Sequence, residues 1–140
     1  MSILYTAHAT VKNGRDGSVR TDDGKLELAL AFPESLGGSG KGTNPEQLFA
    51  AGYGACFAST LANVAKAEGE LVRNVQVDSA VDLHFDAVNY DLGVRLTVRA
   101  EGVDQATLDA LVEKAKAACP YSRATRNNVI TSVKASTQGR

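Results

Sequence analysis

The chain has 140 residues, of which 15 are basic, 16 are acidic and 44% are hydrophobic. This length suits one domain with a sizeable core, and we expect a single domain over residues 1–140. The composition is that of an ordinary globular protein and argues against a collagen-like, coiled-coil or disordered chain. A formal net charge of −1 argues against generic binding to nucleic acid or to a membrane surface.

The chain contains two cysteines, Cys56 and Cys119. Two are too few for a disulfide-stapled secreted scaffold or for a four-cysteine zinc site. The N-terminal residues lack the cationic start and apolar stretch of a signal peptide, and no segment is expected to provide the ~20 apolar residues that span a bilayer. We therefore expect a cytoplasmic protein, in a compartment where a disulfide is more often catalytic or redox-sensing than structural.

The first third of the chain predicts a β meander. Apolar residues alternate over residues 3–11 and again over residues 25–32, where four of them share one face. Polar turns rich in Asn, Asp and Gly lie at residues 13–17 and 22–24, as expected between short antiparallel strands.

The clearest helix start is at Asn44, a favourable N-cap that is followed by a proline and, three residues on, by a glutamine in the capping-box position. The segment then runs to Gly69 with almost no charge, which predicts a long helix buried on most of its circumference. Gly52 and Gly54 each weaken a helix by ~1 kcal/mol relative to alanine, so we expect another group to pack closely there. Since one sheet face cannot cover so apolar a helix, we expect a homodimer that shares it.

Residues 74–86 and 90–101 alternate apolar with polar side chains, which predicts an antiparallel hairpin with one solvated face. A second helix follows Asp104 and ends at Pro120, and a last strand covers residues 129–136. The apolar face of that helix consists of Leu108, Leu111, Val112, Ala115 and Cys119. This order of elements predicts an α+β fold, with antiparallel sheets packed on the long central helix and on the second helix.

Taken singly, the candidate reactive residues are ambiguous. Free cysteine is among the most buried residue types and is usually inert, and Cys56 and Cys119 lack the local C-x-x-C spacing of a redox motif. His8 and His84 have no metal-ligand spacing to the cysteines, so we expect no metal site. The glycine-rich segment 37–43 departs from the P-loop pattern at its first glycine and after its lysine, and G-x-S-x-G is absent.

Three longer strings are more informative: NGRDGSV at 13–19, GTNPEQLFAAGYGACF at 42–57 and CPYSRATRNN at 119–128. They resemble the Ohr subfamily, the organic hydroperoxide resistance proteins, of the Ohr/OsmC family. The resemblance covers essentially the whole chain, because the order of elements also fits, and it implies an intertwined homodimer without a cofactor. Arg123 and Asn127 depart from the residues common in the subfamily.

The resemblance implies thiol peroxidase chemistry and a role for each of four residues. Cys56 corresponds to the peroxidatic cysteine, which attacks a peroxide to give a sulfenic acid and an alcohol. Cys119 corresponds to the resolving cysteine, which then forms an intramolecular disulfide. Arg15 corresponds to the arginine that activates the thiolate, and Glu46 to the carboxylate that orients this arginine. The implied reductant is dihydrolipoamide, often carried on lipoylated proteins.

These residue types suit that chemistry. A thiolate is the nucleophile, whereas free cysteine with a pKa near ~8.5 is mostly protonated at neutral pH, so a neighbouring guanidinium favours the reactive form. A carboxylate can hold the guanidinium with two parallel hydrogen bonds. We expect Phe49, Tyr53 and Phe57 either to form an apolar wall that prefers alkyl and fatty-acid hydroperoxides or to pack in the core.

Helix geometry adds one constraint. Glu46 and Cys56 are ten residues apart on the predicted helix, a rise of ~15 Å, so they cannot meet within one straight helix. Either the site is shared between two subunits or the helix breaks at Gly52–Gly54, and we expect a shared site in an obligate homodimer.

Two other functions remain open. One is a peroxidase of the sister OsmC subfamily, with the same chemistry and a different substrate preference. The other is a non-catalytic thiol redox sensor or apolar-ligand-binding dimer. Arg15 and Glu46 beside two cysteines favour an enzyme, because a binding fold has no need of that set.

Overall fold

The computed structural model describes residues 1–138, and the chain falls into two compact units, residues 1–48 and the part from Phe49 onward. They are described in turn, and the single domain expected from chain length stays a prediction. The helices and strands are β1 (Ala9–Lys12), β2 (Ser18–Thr21), β3 (Glu27–Ala29), α1 (Pro45–Ala67), β4 (Arg73–Phe85), β5 (Tyr90–Glu101), α2 (Gln105–Ala118), α3 (Pro120–Thr125) and β6 (Ile130–Thr137). The α+β class is confirmed.

The predicted meander forms in residues 1–48, where β1, β2 and β3 make an antiparallel sheet in that order. Its strands are shorter than the alternation of apolar residues predicts. Residues 3–8 form no strand, and the side chains of Ile3, Leu4 and Tyr5 are exposed. Alternation makes a strand only where a partner satisfies the backbone N–H and C=O groups. Within residues 1–48, this segment is paired at its last residue, where the Asp22 backbone N–H donates to the His8 carbonyl oxygen at 3.2 Å.

The turn between β1 and β2 is built for close approach of the backbone. Asn13 and Gly14 adopt left-handed conformations, with φ values of 58° and 55°. A Cβ at Gly17 would lie 1.8 Å from the Lys12 carbonyl oxygen, so only glycine fits at that position. The turn places Arg15 in a short 3₁₀ segment between the two strands.

The start of α1 agrees with its predicted cap. The Gln47 backbone N–H donates to Asn44 Oδ1 at 2.9 Å, while the Gln47 side chain accepts a hydrogen bond from the Thr43 hydroxyl at 2.8 Å and so does not complete the capping box. From Pro45 the helix runs without a break to Ala67, and Gly69 follows with a φ of 74°.

Burial of α1 is narrower than predicted. Side chains four residues apart, from Tyr53 through Phe57 and Leu61 to Ala65, form one buried stripe. Ala51 and other small residues on the remaining circumference are exposed in the single chain. The apolar character of α1 therefore exceeds what this chain covers by itself.

Contrary to the sequence expectation, α1 is long and apolar enough to cross a membrane by length and composition, with a mean hydropathy of 1.3 over 18 residues. The core helix of a globular protein meets the same criterion. Here Tyr53, Phe57 and Leu61 lie in the hydrophobic core, so packing accounts for one stripe of this apolar surface.

The part from Phe49 onward contains a second sheet with the order β4-β5-β6. β4 and β5 form the predicted antiparallel hairpin, paired from Phe85↔Tyr90 to Arg73↔Glu101. The expectation of a purely antiparallel sheet is wrong for β6, which runs parallel to β5. The segment carrying α2 and α3 lies between these strands and is long enough for the crossover that a parallel pair requires.

α2 packs with the predicted face inward. Asp104 caps it by accepting a hydrogen bond from the Thr107 backbone N–H at 2.8 Å. Every residue of the predicted face is buried, namely Leu108, Leu111, Val112, Ala115 and Cys119. Pro120 follows the end of α2 as predicted, but it also begins α3, since proline is favoured at the first helical position. Sequence reasoning did not predict α3.

The two helix glycines differ in their neighbours. A Cβ at Gly52 would lie 2.7 Å from Tyr121 Oη, whereas a Cβ at Gly54 would meet Ser79 Cβ at an ordinary 3.5 Å. We predict that Gly54→Ala raises the free energy of unfolding by up to ~1 kcal/mol through helix propensity, and that Gly52→Ala gains nothing because Tyr121 must move. Urea unfolding measures both, and equal gains would contradict close packing at Gly52.

Candidate active site

The structure brings the two cysteines together. Cys119 Sγ lies 3.5 Å from Cys56 Sγ, with the Cys119 thiol as donor, and both residues are free thiols. Cys56 is half-buried in the middle of α1, and Cys119 is fully buried where α2 ends and α3 begins. A disulfide needs an S–S distance of ~2.05 Å, so an approach of roughly 1.5 Å joins these sulfurs.

The surroundings of Cys56 hold its thiol in the protonated form. Burial is the main cause that raises the pKa of the Cys56 thiol, and the neighbouring Cys119 sulfur acts in the same direction. A hydrogen bond from the Tyr121 backbone N–H and a contact with the Thr60 hydroxyl oppose this shift without reversing it. A positive charge near the sulfur would favour the Cys56 thiolate.

Arg15 and Glu46 form a paired unit within residues 1–48. Arg15 Nη1 and Nη2 donate to Glu46 Oε1 and Oε2, each at 2.8 Å. This is the planar two-bond geometry in which a carboxylate fixes a guanidinium. The Arg15 hydrogen bonds are the main cause that lowers the pKa of the Glu46 carboxyl. Glu46 also lies in the first turn of α1, where the helix dipole favours a negative charge.

The three predicted pocket aromatics take different positions. Tyr53 and Phe57 are fully buried members of the core, so they take the packing role that was the alternative for them. Phe49 is half-buried and meets the rings of Tyr53 and Tyr121 edge-on, with centroids 6.3 and 6.1 Å apart. Of the predicted three, only Phe49 has surface left for a ligand.

Sequence reasoning missed three residues around the cysteine pair, two that contact Cys56 and one that contacts Tyr53. Tyr121 places its backbone N–H at the Cys56 sulfur, and the Thr60 hydroxyl lies one helical turn after Cys56 and donates to its carbonyl oxygen at 3.0 Å. Ser122 is hydrogen-bonded to the Tyr53 hydroxyl at 2.8 Å. One signal was available for Tyr121 and Ser122. Both follow Pro120, and a helix that begins at that proline brings them back toward α1.

Other candidate ligands stay apart. His8 and His84 are exposed. Among residues 1–138, no three His, Cys, Asp or Glu side chains form a group able to hold a metal ion.

The chain matches a known protein family in sequence and in fold. The family model described as OsmC-like protein matches residues 38–134. An organic hydroperoxide resistance protein of Xanthomonas axonopodis pv. citri (strain 306) is 45% identical over 129 residues, which are 91% of each chain.

Solved structures agree with this. The structure of an organic hydroperoxide resistance protein from Legionella pneumophila matches with a TM-score of 0.92 at 45% identity, covering 96% of this chain and 99% of that one. The organic hydroperoxide resistance protein OhrB of Bacillus subtilis matches with a TM-score of 0.86 at 38% identity, covering 96% of this chain and 100% of that one.

The match to the family model and the likeness of the fold place the chain in the class of OsmC-like proteins. The chain belongs to the Ohr/OsmC family and, within it, to the organic hydroperoxide resistance proteins.

The Arg15–Glu46 pair predicts a pH-dependent stability. Because the pKa of Glu46 is lowered from 4.5 on folding, the pair stabilises the fold above that pH and loses its contribution as the pH falls through the folded-state value. We predict that Glu46→Gln lowers the free energy of unfolding by up to about 1 kcal/mol at neutral pH, with a smaller difference in acid.

Urea unfolding of wild type and Glu46→Gln over a pH series measures this. Glu27→Gln is the matched control, because Glu27 accepts a single hydrogen bond from Arg20 at 3.1 Å on the exposed meander, and its effect should stay within about 0.5 kcal/mol. A Glu46→Gln difference that grows in acid would contradict the sign of the pKa shift.

Proposed function

We propose that this protein is a cysteine-based peroxidase that reduces organic hydroperoxides, such as alkyl and fatty-acid hydroperoxides, to alcohols, and so serves antioxidant defence. The observation that carries the proposal is the 3.5 Å separation of the Cys56 and Cys119 sulfurs, in a chain whose relatives bear the name organic hydroperoxide resistance protein.

In the first step, the Cys56 thiolate attacks one peroxide oxygen. The O–O bond breaks, the sulfur is oxidised to a sulfenic acid, and the departing alkoxide takes up a proton to leave as the alcohol. Cys56 suits this role because it is half-buried, whereas Cys119 is fully buried.

In the second step, Cys119 attacks the sulfenic sulfur. An S–S bond forms, the S–O bond breaks, and hydroxide leaves with the thiol proton as water. The trapping must be fast, because a second peroxide converts a sulfenic acid into a sulfinic acid that thiols do not reduce. The buried position of Cys119 beside Cys56 supports this role.

A dithiol restores the enzyme by thiol–disulfide exchange. We propose dihydrolipoamide, free or on a lipoylated protein, as the reductant, so that two thiols of the enzyme are regenerated and the lipoyl group leaves as its cyclic disulfide. The cycle uses no further cofactor. We place the enzyme in the cytoplasm, with no nucleic-acid or membrane partner.

Activation of Cys56 calls for a cation, since its own surroundings raise the pKa of the thiol. We propose that Arg15, oriented by Glu46, supplies it. α1 is continuous from Pro45 to Ala67, so the alternative of a break at Gly52–Gly54 is ruled out, and the ten residues from Glu46 to Cys56 correspond to a rise of ~15 Å. This supports a homodimer in which Arg15 and Glu46 of one subunit act on Cys56 of the other.

Substrate preference follows from the apolar side chains at this site. Phe49 is half-buried and meets the exposed Tyr121 ring edge-on, and we propose that Phe49 contacts the alkyl part of the hydroperoxide. An apolar contact favours organic hydroperoxides over hydrogen peroxide, because only the former bury carbon surface on binding. A peroxidase of the sister OsmC subfamily, with a different preference, is the first alternative.

The second alternative is a thiol sensor or apolar-ligand-binding dimer without turnover. The carboxylate-bound guanidinium favours redox chemistry over ligand binding alone, because a binding fold does not require a cation held ready for a thiolate. Turnover distinguishes the proposed peroxidase from a sensor or binding dimer. The ratio of organic hydroperoxide to hydrogen peroxide reduced distinguishes it from a peroxidase of the sister subfamily.

Peroxide consumption with dihydrolipoamide and cumene hydroperoxide tests the proposal. We predict that Cys56→Ser abolishes consumption, because the nucleophile is lost. Cys119→Ser should consume about one equivalent and then stall at the sulfenic acid. Turnover that survives in Cys56→Ser would overturn the assignment, and a wild type that oxidises once without re-reduction by dihydrolipoamide would favour a sensor.

A further inference from the structure

A second contact joins α1 to α3 beside the sulfur pair. The Tyr53 hydroxyl lies 2.8 Å from Ser122 Oγ and 3.4 Å from Thr125 Oγ1. Tyr53 has no exposed surface, and Thr125 is 6% exposed. A tyrosine hydroxyl buried among apolar side chains needs such a partner, because an unmet polar group there costs ~1–3 kcal/mol.

This contact runs beside the sulfur contact. Tyr53 precedes Cys56 by three residues on α1, and Ser122 follows Cys119 by the same number in α3. Residues three apart in a helix lie about one turn apart on one side. The Tyr53–Ser122 contact and the Cys56–Cys119 contact therefore both join α1 to the segment that begins at Cys119, about one helical turn apart.

α3 depends on this anchoring. It has six residues, and a helix that short does not persist through its own hydrogen bonds. α3 contacts α1 through the Tyr53 hydroxyl bond and through Tyr121. The Tyr121 ring meets those of Tyr53 and Phe49 with centroids 5.5 and 6.1 Å apart, and its backbone N–H donates to the Cys56 sulfur. Thr125 stabilises α3 by a hydrogen bond within the helix, from its hydroxyl to the Tyr121 carbonyl oxygen at 3.1 Å.

We propose that Tyr53 is a positioning residue for the disulfide-forming step, an inference that rests on the peroxidase function proposed above. Its hydroxyl holds α3, and with it Cys119, against α1. The Cys56 sulfenic acid then reacts with the Cys119 thiol before a second peroxide molecule can oxidise it. In that step the Cys119 sulfur forms the S–S bond, the S–O bond of Cys56 breaks, and water leaves with the thiol proton.

This role differs from a wall of the substrate pocket. Tyr53 presents no surface to a ligand, so removal of its hydroxyl should not alter how Cys56 meets the peroxide. Only the later competition between Cys119 and a second peroxide molecule for the Cys56 sulfenic acid should change.

The test uses Tyr53→Phe, which keeps the ring and removes the hydroxyl. Rapid mixing with cumene hydroperoxide separates sulfenic acid formation from disulfide formation, and intact mass measures the overoxidised fraction at excess peroxide. We expect wild-type formation of the sulfenic acid, disulfide formation slowed about 3- to 10-fold, as one hydrogen bond supports, and a matching rise in sulfinic acid.

Three controls isolate the hydroxyl bond. Ser122→Ala removes the same bond from α3 and should give the same change, and the double variant should add little to either single one. In a Cys119→Ser background, Tyr53→Phe should leave the rate of sulfenic acid formation unchanged. Tyr90→Phe, which removes a hydroxyl from the exposed end of the β4–β5 hairpin, should behave as wild type.

Each outcome decides the proposal. Unchanged disulfide formation and overoxidation in both Tyr53→Phe and Ser122→Ala would overturn it. Equal slowing of sulfenic acid formation would also overturn it, because the hydroxyl would then act on Cys56 itself. Should Tyr53→Phe fail to fold, Ser122→Ala tests the bond alone. Failure of the peroxidase function is recognised separately, since wild type would then form neither sulfenic acid nor disulfide.

Discussion

Desolvation of the Cys56 thiol is the constraint on which this molecule depends. Partial burial raises the pKa of the thiol and so suppresses the thiolate, which is the reactive form of a cysteine. The chain holds a matching unit, a guanidinium fixed by two hydrogen bonds to a carboxylate, in Arg15 and Glu46. We propose that the Arg15 guanidinium of one subunit meets the Cys56 thiol of the other when the dimer assembles.

In the mechanism that we propose, resolution of the sulfenic acid needs contact between two sulfurs rather than a neighbouring charge. The crossover from β5 to β6 provides this contact by ending α2 at a buried Cys119 and starting α3 at Pro120. The Tyr53–Ser122 hydrogen bond then ties α3 to the helix that bears the nucleophile. A core tyrosine thereby links the stability of the fold to the fate of the oxidised cysteine.

Much of this was predictable from sequence, for physical reasons that differ by element. The β4–β5 hairpin and the buried face of α2 follow from periodicity, and Asn44 and Asp104 mark helix starts by their side-chain chemistry. The partner of a strand is not encoded locally, so the parallel pairing of β6 and the absence of a strand over residues 3–8 were missed. The Tyr53–Ser122 bond joins distant residues of common types, which no spacing signals.

The central claim is that Arg15 of one subunit activates Cys56 of the other, and mixed dimers test it most directly. Two subunit types with different affinity tags are co-expressed, and the mixed dimer is isolated. A dimer of Arg15→Ala with Cys56→Ser should keep about half of wild-type peroxidase activity, because one of its two shared sites is intact. A dimer of wild type with the Arg15→Ala/Cys56→Ser double variant should be as inactive as the homodimer of either single variant, because each of its shared sites lacks one of the two residues. The reverse pattern would place each site within one chain and contradict the account.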